Sequence, residues 1–272
     1  LDLVNNTGRI KSFNQELRIS NNSGSDFRWV VGANYERSTV NELIDLSFPD
    51  VSVRGLYGSF GYPFFSLSYS NDQKMENYAG FANIEYDIGQ LTVKLGGRYT
   101  KSRTDASECG FDDSGSPTNT GPLFYDVLFG GALGPYAGQC YQINNTPDTY
   151  NGVAPGASGR FTDTLKEDNF SWRVGLDYKP VDDVLLYANV AKGYKAGSYP
   201  TLSASLFSQY LPVVQESVQS YEAGFKATLL DRTLQLNGAV FYYDYTNKQL
   251  RSKFVDPNFG ILDVLQNIPK SD

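Results

Sequence analysis

Apolar and polar side chains alternate along this chain in segments of roughly ten residues, the period of an extended strand whose two faces meet different surroundings. Between Phe27 and Glu36, the side chains of Phe27, Trp29, Val31, Ala33 and Tyr35 share one face, and Arg28, Gly32, Asn34 and Glu36 share the other. Leu91, Val93, Leu95, Gly97 and Tyr99 are set against Thr92, Lys94, Gly96, Arg98 and Thr100, and Phe170, Trp172, Val174, Leu176 and Tyr178 against Asn169, Ser171, Arg173, Gly175 and Asp177. Tyr221, Ala223, Phe225, Ala227 and Leu229 oppose Ser220, Glu222, Gly224, Lys226 and Thr228, and the pattern repeats from Leu234 to Tyr242. The alternation predicts strands over about 11–20, 27–37, 76–86, 91–100, 169–179, 184–194, 217–229 and 233–245, with the start of a ninth near Gln266 to Pro269.

Two kinds of connection join them. Asn21 to Asp26, Asp87 to Gln90, Pro180 to Asp183 and Leu230 to Arg232 are short and rich in Asn, Asp, Gly and Pro, as tight hairpin turns require. The alternate connections, over 38–74, 101–166, 196–215 and 246–262, far exceed the usual loop of roughly 4 to 6 residues. Such asymmetry is that of an antiparallel transmembrane β-barrel, with short periplasmic turns and long extracellular loops.

Aromatic placement bears on this independently, because Trp and Tyr favour the two boundaries between lipid and water. Phe27, Trp29, Tyr86 and Tyr178 stand beside the short turns, while Tyr35, Tyr78, Tyr99 and Tyr221 stand at the opposite ends. Eight residues separate Phe27 from Tyr35, which is ~26 Å of strand at ~3.3 Å per residue. Tilted by ~40°, the span is about 20 Å high, close to the ~25 Å apolar band of such barrels. A soluble sandwich with its aromatics in a core is the alternative, and the loop asymmetry and the two girdles weigh against it.

Among the 272 residues no apolar run approaches the ~18 residues of a membrane helix. A net charge of -7 argues against nucleic acid as a partner. The chain opens at Leu1 without a basic and apolar leader, which predicts a processed chain or a fragment. Cys109 and Cys140 fall in the longest loop, where an even pair reads as a disulfide formed in the oxidising periplasm; two unpaired cysteines are the alternative.

Several stretches, taken in order, closely resemble the barrel of TonB-dependent outer-membrane receptors: Asn14 to Arg18 (NQELR), Trp29 to Tyr35 (WVVGANY), Tyr78 to Tyr99 (YAGFANIEYDIGQLTVKLGGRY), Trp172 to Gly197 (WRVGLDYKPVDDVLLYANVAKGYKAG) and Ser220 to Gln249 (SYEAGFKATLLDRTLQLNGAVFYYDYTNKQ). The resemblance implies a plug folded inside a barrel of about 22 strands and a TonB-binding box ahead of the plug. This sequence carries no plug-like segment, no recognisable TonB box and no terminal strand ending in an aromatic residue, so it reads as an internal piece of a receptor. A closed barrel of about eight strands is the alternative by number.

The chemistry is mostly excluded. The chain has no His and none of GxSxG, GxGxxG or GxxxxGK[ST], which removes His-based nucleophiles, HExxH metal sites and phosphate loops, so no enzyme activity and no cofactor are expected. Zinc lacks His and CxxC ligands, and the adjacent carboxylates Asp112/Asp113 and Asp182/Asp183 read as solvated turn residues rather than a calcium site. The inward faces carry Glu16, Arg18, Arg28, Glu36, Lys94, Arg98, Arg173, Asp177, Glu222 and Lys226, a mixed-sign set suited to a wet lumen. By resemblance they would bond a plug of the same parent chain; plain solvation and cross-strand pairing are the alternative. Tyr57, Tyr62, Phe64, Phe65, Tyr125, Tyr136 and Tyr141 are candidate loop aromatics for stacking on a ligand, or they pack one another to stiffen the loops. The implied function is active import of a scarce small-molecule nutrient, an iron chelate first, coupled to TonB. A passive channel or a structural or adhesion barrel is the second class.

Overall fold

The computed structural model describes residues 3–21, 24–47, 59, 66–112, 140–256 and 260–271. Among these residues, nine antiparallel strands follow one another in chain order across a single sheet. They are β1 (Leu3–Ser20), β2 (Phe27–Ser47), β3 (Ser66–Ile88), β4 (Leu91–Phe111), β5 (Phe161–Val181), β6 (Val184–Lys195), β7 (Glu216–Leu229), β8 (Leu234–Asp256) and β9 (Gly260–Ser271), with a single helical turn, α1 (Phe207–Tyr210), between β6 and β7.

At one end the turns are tight. Gly89 takes φ 62 between β3 and β4, a left-handed conformation that glycine adopts without Cβ strain. Leu230, Asp231 and Arg232 all have positive φ between β7 and β8, where the backbone N–H and the hydroxyl of Thr233 both donate to the Leu230 carbonyl, at 3.0 and 2.6 Å.

Ladder register places the predicted faces across neighbouring strands. Ala33, Gly80, Tyr99 and Phe170 form one transverse row, and Leu95 lies between Ile84 and Val174 in another. This outer face is an unbroken exposed apolar band that includes Leu17, Val31, Ile84, Leu95, Val174, Phe225 and Leu236. Aromatic contacts edge it at both levels: Phe27 meets Tyr86 at 6.2 Å near the short turns, and Phe13, Tyr35 and Tyr78 run on at 6.2 and 4.9 Å toward the other end.

The strands overrun their predicted bounds at the long-loop end. β2 continues to Ser47 and β3 begins at Ser66, inside the segment read as loop over 38–74. β4 runs to Phe111 and β5 begins at Phe161, inside 101–166; β8 runs to Asp256 and β9 begins at Gly260, inside 246–262. β1 likewise starts at Leu3, eight residues before the predicted 11, and β9 covers far more than Gln266 to Pro269. The reason is physical: above the band no strand face touches lipid, so the apolar/polar code that reveals a strand inside a membrane is absent there. Asn247 takes φ 55, and the opposing position is Pro269, which has no N–H to give to the ladder.

Face polarity reverses along the same strands. Within the band the inward face is polar, with Asn83, Glu85, Lys94 and Arg98. Higher up, with no slip between β3 and β4, that face carries Leu67, Tyr69, Asn71 and Gln73 on β3 and Ala106 and Glu108 on β4, all buried. The molecule's packed core therefore sits on the lumen side of the strand extensions, under the long connections. Ala106, Phe161, Tyr199, Ala204, Phe207 and Tyr210 form one cluster, and Ile44, Leu67, Tyr69 and Tyr141 form a second.

The outer face is tested at Leu95, midway along the lipid-facing stretch of β4 from Leu91 to Tyr99. Leu95→Arg is expected to destabilise the membrane-inserted wall by about 2–4 kcal/mol, whereas Lys94→Ser, on the wet face one residue away, costs about 1 kcal/mol or less. Heat-modifiability on gels reports both; a larger loss at Lys94 would invert the two faces.

Candidate functional site

The lumen wall and the cap above it are the two places where polar chemistry converges. On the wall, period-2 register brings residues from distant sequence into contact. Arg28 is paired with Asp87, by a 2.8 Å bond from Nη2 among others, and with Glu85 at 3.3 Å; Thr92 Oγ1 also donates to Asp87, at 2.7 Å. Lys94 is paired with Asp177, Arg173 Nη2 donates to Asn189 Oδ1 at 2.9 Å, and Tyr187 OH donates to Glu222 Oε1 at 2.8 Å. Arg98 lies 5.7 Å from the centre of the Phe81 ring, and its Nε donates to Thr100 at 3.2 Å. Phe81 in turn lies over Gly32, where a Cβ would come within 2.4 Å of the ring, so only glycine admits it in this pose.

Two open cavities on this wall gather the predicted residues. One, of about 410 Å³, is lined by Glu16, Arg18, Arg98 and Arg173, and the second, of about 460 Å³, by Lys94, Arg173, Asp177, Glu222 and Lys226. Arg28 stands apart from both, near the short turns, with its charge already matched. Lys226 has no hydrogen-bond or ion-pair partner among the described residues.

The cap consists of 140–160 and 196–215 laid across the inner face of the extensions. Tyr141 N donates to the Gly110 carbonyl at 3.0 Å, and Ile143 is held between Ser205 and Phe207 by two backbone bonds of 2.9 Å. The buried Asn144 side chain donates to the carbonyls of Asp148 and Val153 at 2.9 and 2.8 Å and accepts from Thr146, closing a turn without regular structure. Three wall residues hold the second segment. Glu167 accepts from the backbone N–H groups of Gly197 and Gln215 at 2.8 and 2.6 Å, Gln249 donates to the carbonyls of Ala196 and Val214, and Asn267 pairs with both backbone groups of Val214. Nothing in the alternation singles out Glu167, Gln249 or Asn267, because their partners are backbone atoms of irregular chain.

Tyr141 departs from its expected role: its ring is 2% exposed and packs edge-on against Tyr69 at 6.0 Å, so it stiffens the cap instead of offering a face to a ligand. The apolar sheet face beneath it gains more from covering the ring than water does from keeping it. Tyr57, Tyr62, Phe64, Phe65, Tyr125 and Tyr136 lie outside the described residues. Cys109 and Cys140 are joined by a disulfide, with Cα atoms 5.1 Å apart. Cys109 belongs to the end of β4 and not to a loop, so the bond ties the cap to the wall. Asp182 and Asp183 form the β5–β6 turn, where Asp183 meets Arg232 at 3.6 Å, and no group of residues able to hold a metal ion occurs among the described residues.

Glu108, on β4, is the unusual group beneath the cap. It is fully buried, and neither carboxyl oxygen has a hydrogen-bond partner among the described residues. Burial, reinforced by the nearby carboxylates of Asp72 and Glu42, pushes its pKa up to about 9; Gln73, whose amide reaches past it to the Tyr199 carbonyl, and Arg160 offset only part of this.

An apolar outer band, paired aromatic levels, a charged inner wall and a capped long-loop end define the wall of an outer-membrane β-barrel. The chain belongs to the TonB-dependent receptor family, since the family model described as TonB dependent receptor-like, beta-barrel, matches residues 2–272. The family and fold are those of receptors and transporters of the bacterial outer membrane, not of enzymes. Among solved structures, the ferric yersiniabactin uptake receptor FyuA from Yersinia pestis is similar with a TM-score of 0.64 and 17% identity over 92% of this chain. The siderophore receptor PiuA from Acinetobacter baumannii is similar with a TM-score of 0.59 and 15% identity over 97% of this chain. The chain spans about a third of their length, 30% and 34%.

Two outcomes test the cap. Cys109→Ser/Cys140→Ser opens a closure spanning 31 residues and is expected to weaken the cap by about 3–4 kcal/mol on loop entropy while leaving the wall folded. Limited proteolysis should then cut within 140–160 while heat-modifiability is unchanged. Glu108, neutral in the fold up to about pH 9 and ionised above about 4.5 when unfolded, makes the folded cap hold the extra proton, so cap stability falls as pH rises through that window. Glu108→Gln should flatten that fall, leaving a cap more protease-resistant than the parent at pH 8 and similar at pH 4.

Proposed function

We propose that this chain forms part of the barrel wall of an energised importer that takes up a scarce nutrient, a ferric siderophore first, past a plug seated in the lumen. The observation that carries this reading is the lumen wall itself, where cations and carboxylates from four strands line two adjoining cavities and part of their hydrogen-bonding capacity is unspent among the described residues. Arg98 uses one of its nitrogens on Thr100, and Lys226 uses none among the described residues. A plug of the same parent chain supplies matching carboxylates and carbonyls, and such charge-assisted contacts hold it in place yet exchange with water when it is pulled. Of the two solved receptors of similar fold, one is a ferric yersiniabactin uptake receptor and the other a siderophore receptor, which supports the substrate class.

The same geometry supports a reading in which import is energy-coupled. A plug bonded to this wall blocks free diffusion, so moving it needs work, and the TonB complex of the inner membrane is the source of that work in this reading. Ligand capture at the outer loops needs surface complementarity alone and is separable from transport.

Uptake of labelled ferric siderophore, measured in cells with and without the coupling protein, tests the proposal. Binding is expected in both strains and accumulation only with coupling; replacing 51–65, which precedes β3, should reduce capture and leave the barrel folded. Equal uptake in both strains, rising linearly with external concentration, would instead identify a passive channel, and no uptake in either a structural or adhesion barrel.

A further inference from the structure

The wall is uneven in height. β6 and β7 have 12 and 14 residues and stop at Lys195 and Glu216, whereas the flanking β5 and β8 have 21 and 23 and rise to Phe161 and Asp256. The β5–β6 ladder stops at Trp172↔Lys192 and the β7–β8 ladder at Ser217↔Thr246, close to the upper aromatic girdle. Above those rows a notch two strands wide, about 14 Å at ~4.8 Å per strand spacing, separates 161–171 of β5 from 247–256 of β8. The chain between β6 and β7 bends inward instead of filling it. Ser198 and Val213 exchange two backbone bonds, of 3.1 and 3.0 Å, over the lumen face, and Gly197 lies so close to Leu165 and Glu167 that a Cβ there would meet both.

Two sheet edges face each other across this notch, and both are open. On β5 the Asp168 carbonyl points to the notch side, since it accepts from Gln215 Nε2 at 3.1 Å, and by the two-residue period the backbone groups of Thr164 point the same way. On β8 the Gln249 N–H points to the notch side, since it donates to Glu216 at 2.8 Å, and so do the backbone groups of Arg251, Lys253 and Val255. Among the described residues, the backbone groups of Thr164, Arg251, Lys253 and Val255 have no partner on that side. Inside a bilayer such edges would be prohibitive; above the girdle water satisfies them, which leaves them available to another chain. Lys195 at the floor of the notch and Arg251 and Lys253 on its β8 side are exposed, with no hydrogen bond or ion pair from their side chains among the described residues. The nearby acids Glu167 and Glu216 are taken up by the backbone N–H groups of Gly197, Gln215 and Gln249, and Asp263, opposite Lys253, offsets a single charge.

Strand direction decides what fits. Successive strands alternate, and β5 and β8 are separated by two, so a single added strand antiparallel to one edge would run parallel to the other. A hairpin is antiparallel to both and fills both positions. We propose that the notch is a docking site for a β-hairpin with acidic side chains on a second protein at the cell surface, its two strands adding to the edges of β5 and β8. Main-chain bonds to the two edges supply affinity. The three cations supply selection, because charge on an exposed edge turns away neutral and basic strands and admits one of opposite sign. The site lies beside the lumen and depends on neither the plug nor the imported nutrient; it rests only on the long-loop end of the wall being the outer end.

The experiment titrates the intact receptor, in neutral detergent, with fluorescent backbone-cyclised hairpin peptides that have Asn-Gly turns and strands of about six residues. Anisotropy reports binding, and hydrogen exchange reports its place. The probes are a glutamate-bearing hairpin, the same hairpin with lysine for glutamate, the glutamate hairpin N-methylated at its outward amides, and one of its strands as a linear peptide. Selective binding of the unmethylated glutamate hairpin is expected, with slowed exchange at Thr164, Arg251 and Lys253. Arg251→Gln/Lys253→Gln should weaken it roughly tenfold, at about threefold per exposed charge. Thr164→Pro and Val255→Pro each delete one notch-facing N–H and should weaken it about fivefold with every cation in place. Heat-modifiability at the parental value certifies each variant as folded. No binding of the glutamate hairpin, equal binding of the lysine, N-methylated or linear peptide, or slowed exchange confined to other strands would each overturn the proposal.

Discussion

The constraint on which this structure depends is the unslipped antiparallel ladder. In a bilayer each backbone N–H and C=O must find its partner on a neighbouring strand, because no water is there to take its place. β2 and β3 meet that demand from Phe27↔Tyr86 to Ser47↔Ser66 without an irregularity, and β3 and β4 from Ile88↔Leu91 to Ser68↔Phe111. Parity is therefore fixed along the whole length of β2, β3 and β4. The face that looks into the lumen at Asn83 is the face that lies under the cap at Asn71, and the face that meets lipid at Leu95 is the face that carries Arg103. One register sets the lumen chemistry and the cap core together.

How much of this the sequence discloses depends on what surrounds each face. Where one face meets hydrocarbon and the other water, as from Leu91 to Thr100, alternation exposes both the strand and its orientation, and register then follows from the tight turns. Above the girdle the surroundings change: one face packs on the cap and the other is wet, so the strand continues while its lipid-facing code stops. Thr39 to Asp45 and Ser102 to Glu108 read as loop for that reason. The cap is hidden for a different one. Phe161, Phe207 and Tyr210 come together across more than forty residues, and Glu167 and Asn267 act on backbone atoms of irregular segments, so no local spacing connects them.

Candidate residues divide along the same line. Lys94, Arg98, Arg173, Glu222 and Lys226 come to the two lumen cavities because they sit on wall strands whose parity is readable. Tyr141 does not reach a surface, since its position rests on where 140–160 folds back and not on a strand period. For a loop aromatic, composition gives the stickiness of the ring and no information on whether protein or ligand covers it.

The cap and the wall are coupled through a small number of polar anchors, and this shapes what the long-loop end can do. The disulfide fixes 140–160 to the end of β4, while Glu167, Gln249 and Asn267 fix 196–215 to β5, β8 and β9 through side chains meeting backbone. Hydrogen bonds of the second kind each contribute about 1 kcal/mol net, yet leave an unpaired buried group when broken, so they resist partial opening more than their mean strength implies. Glu108 acts in the opposite sense, as a carboxyl buried beneath the covalently held segment without a hydrogen bond among the described residues. The two loop segments therefore differ in character: one is tethered by a bond that does not exchange and strained by a proton-dependent cost, and the other is held by several contacts that water can replace one at a time. A rim able to admit a ligand without unfolding needs the second kind of attachment, and 196–215 is the segment that has it.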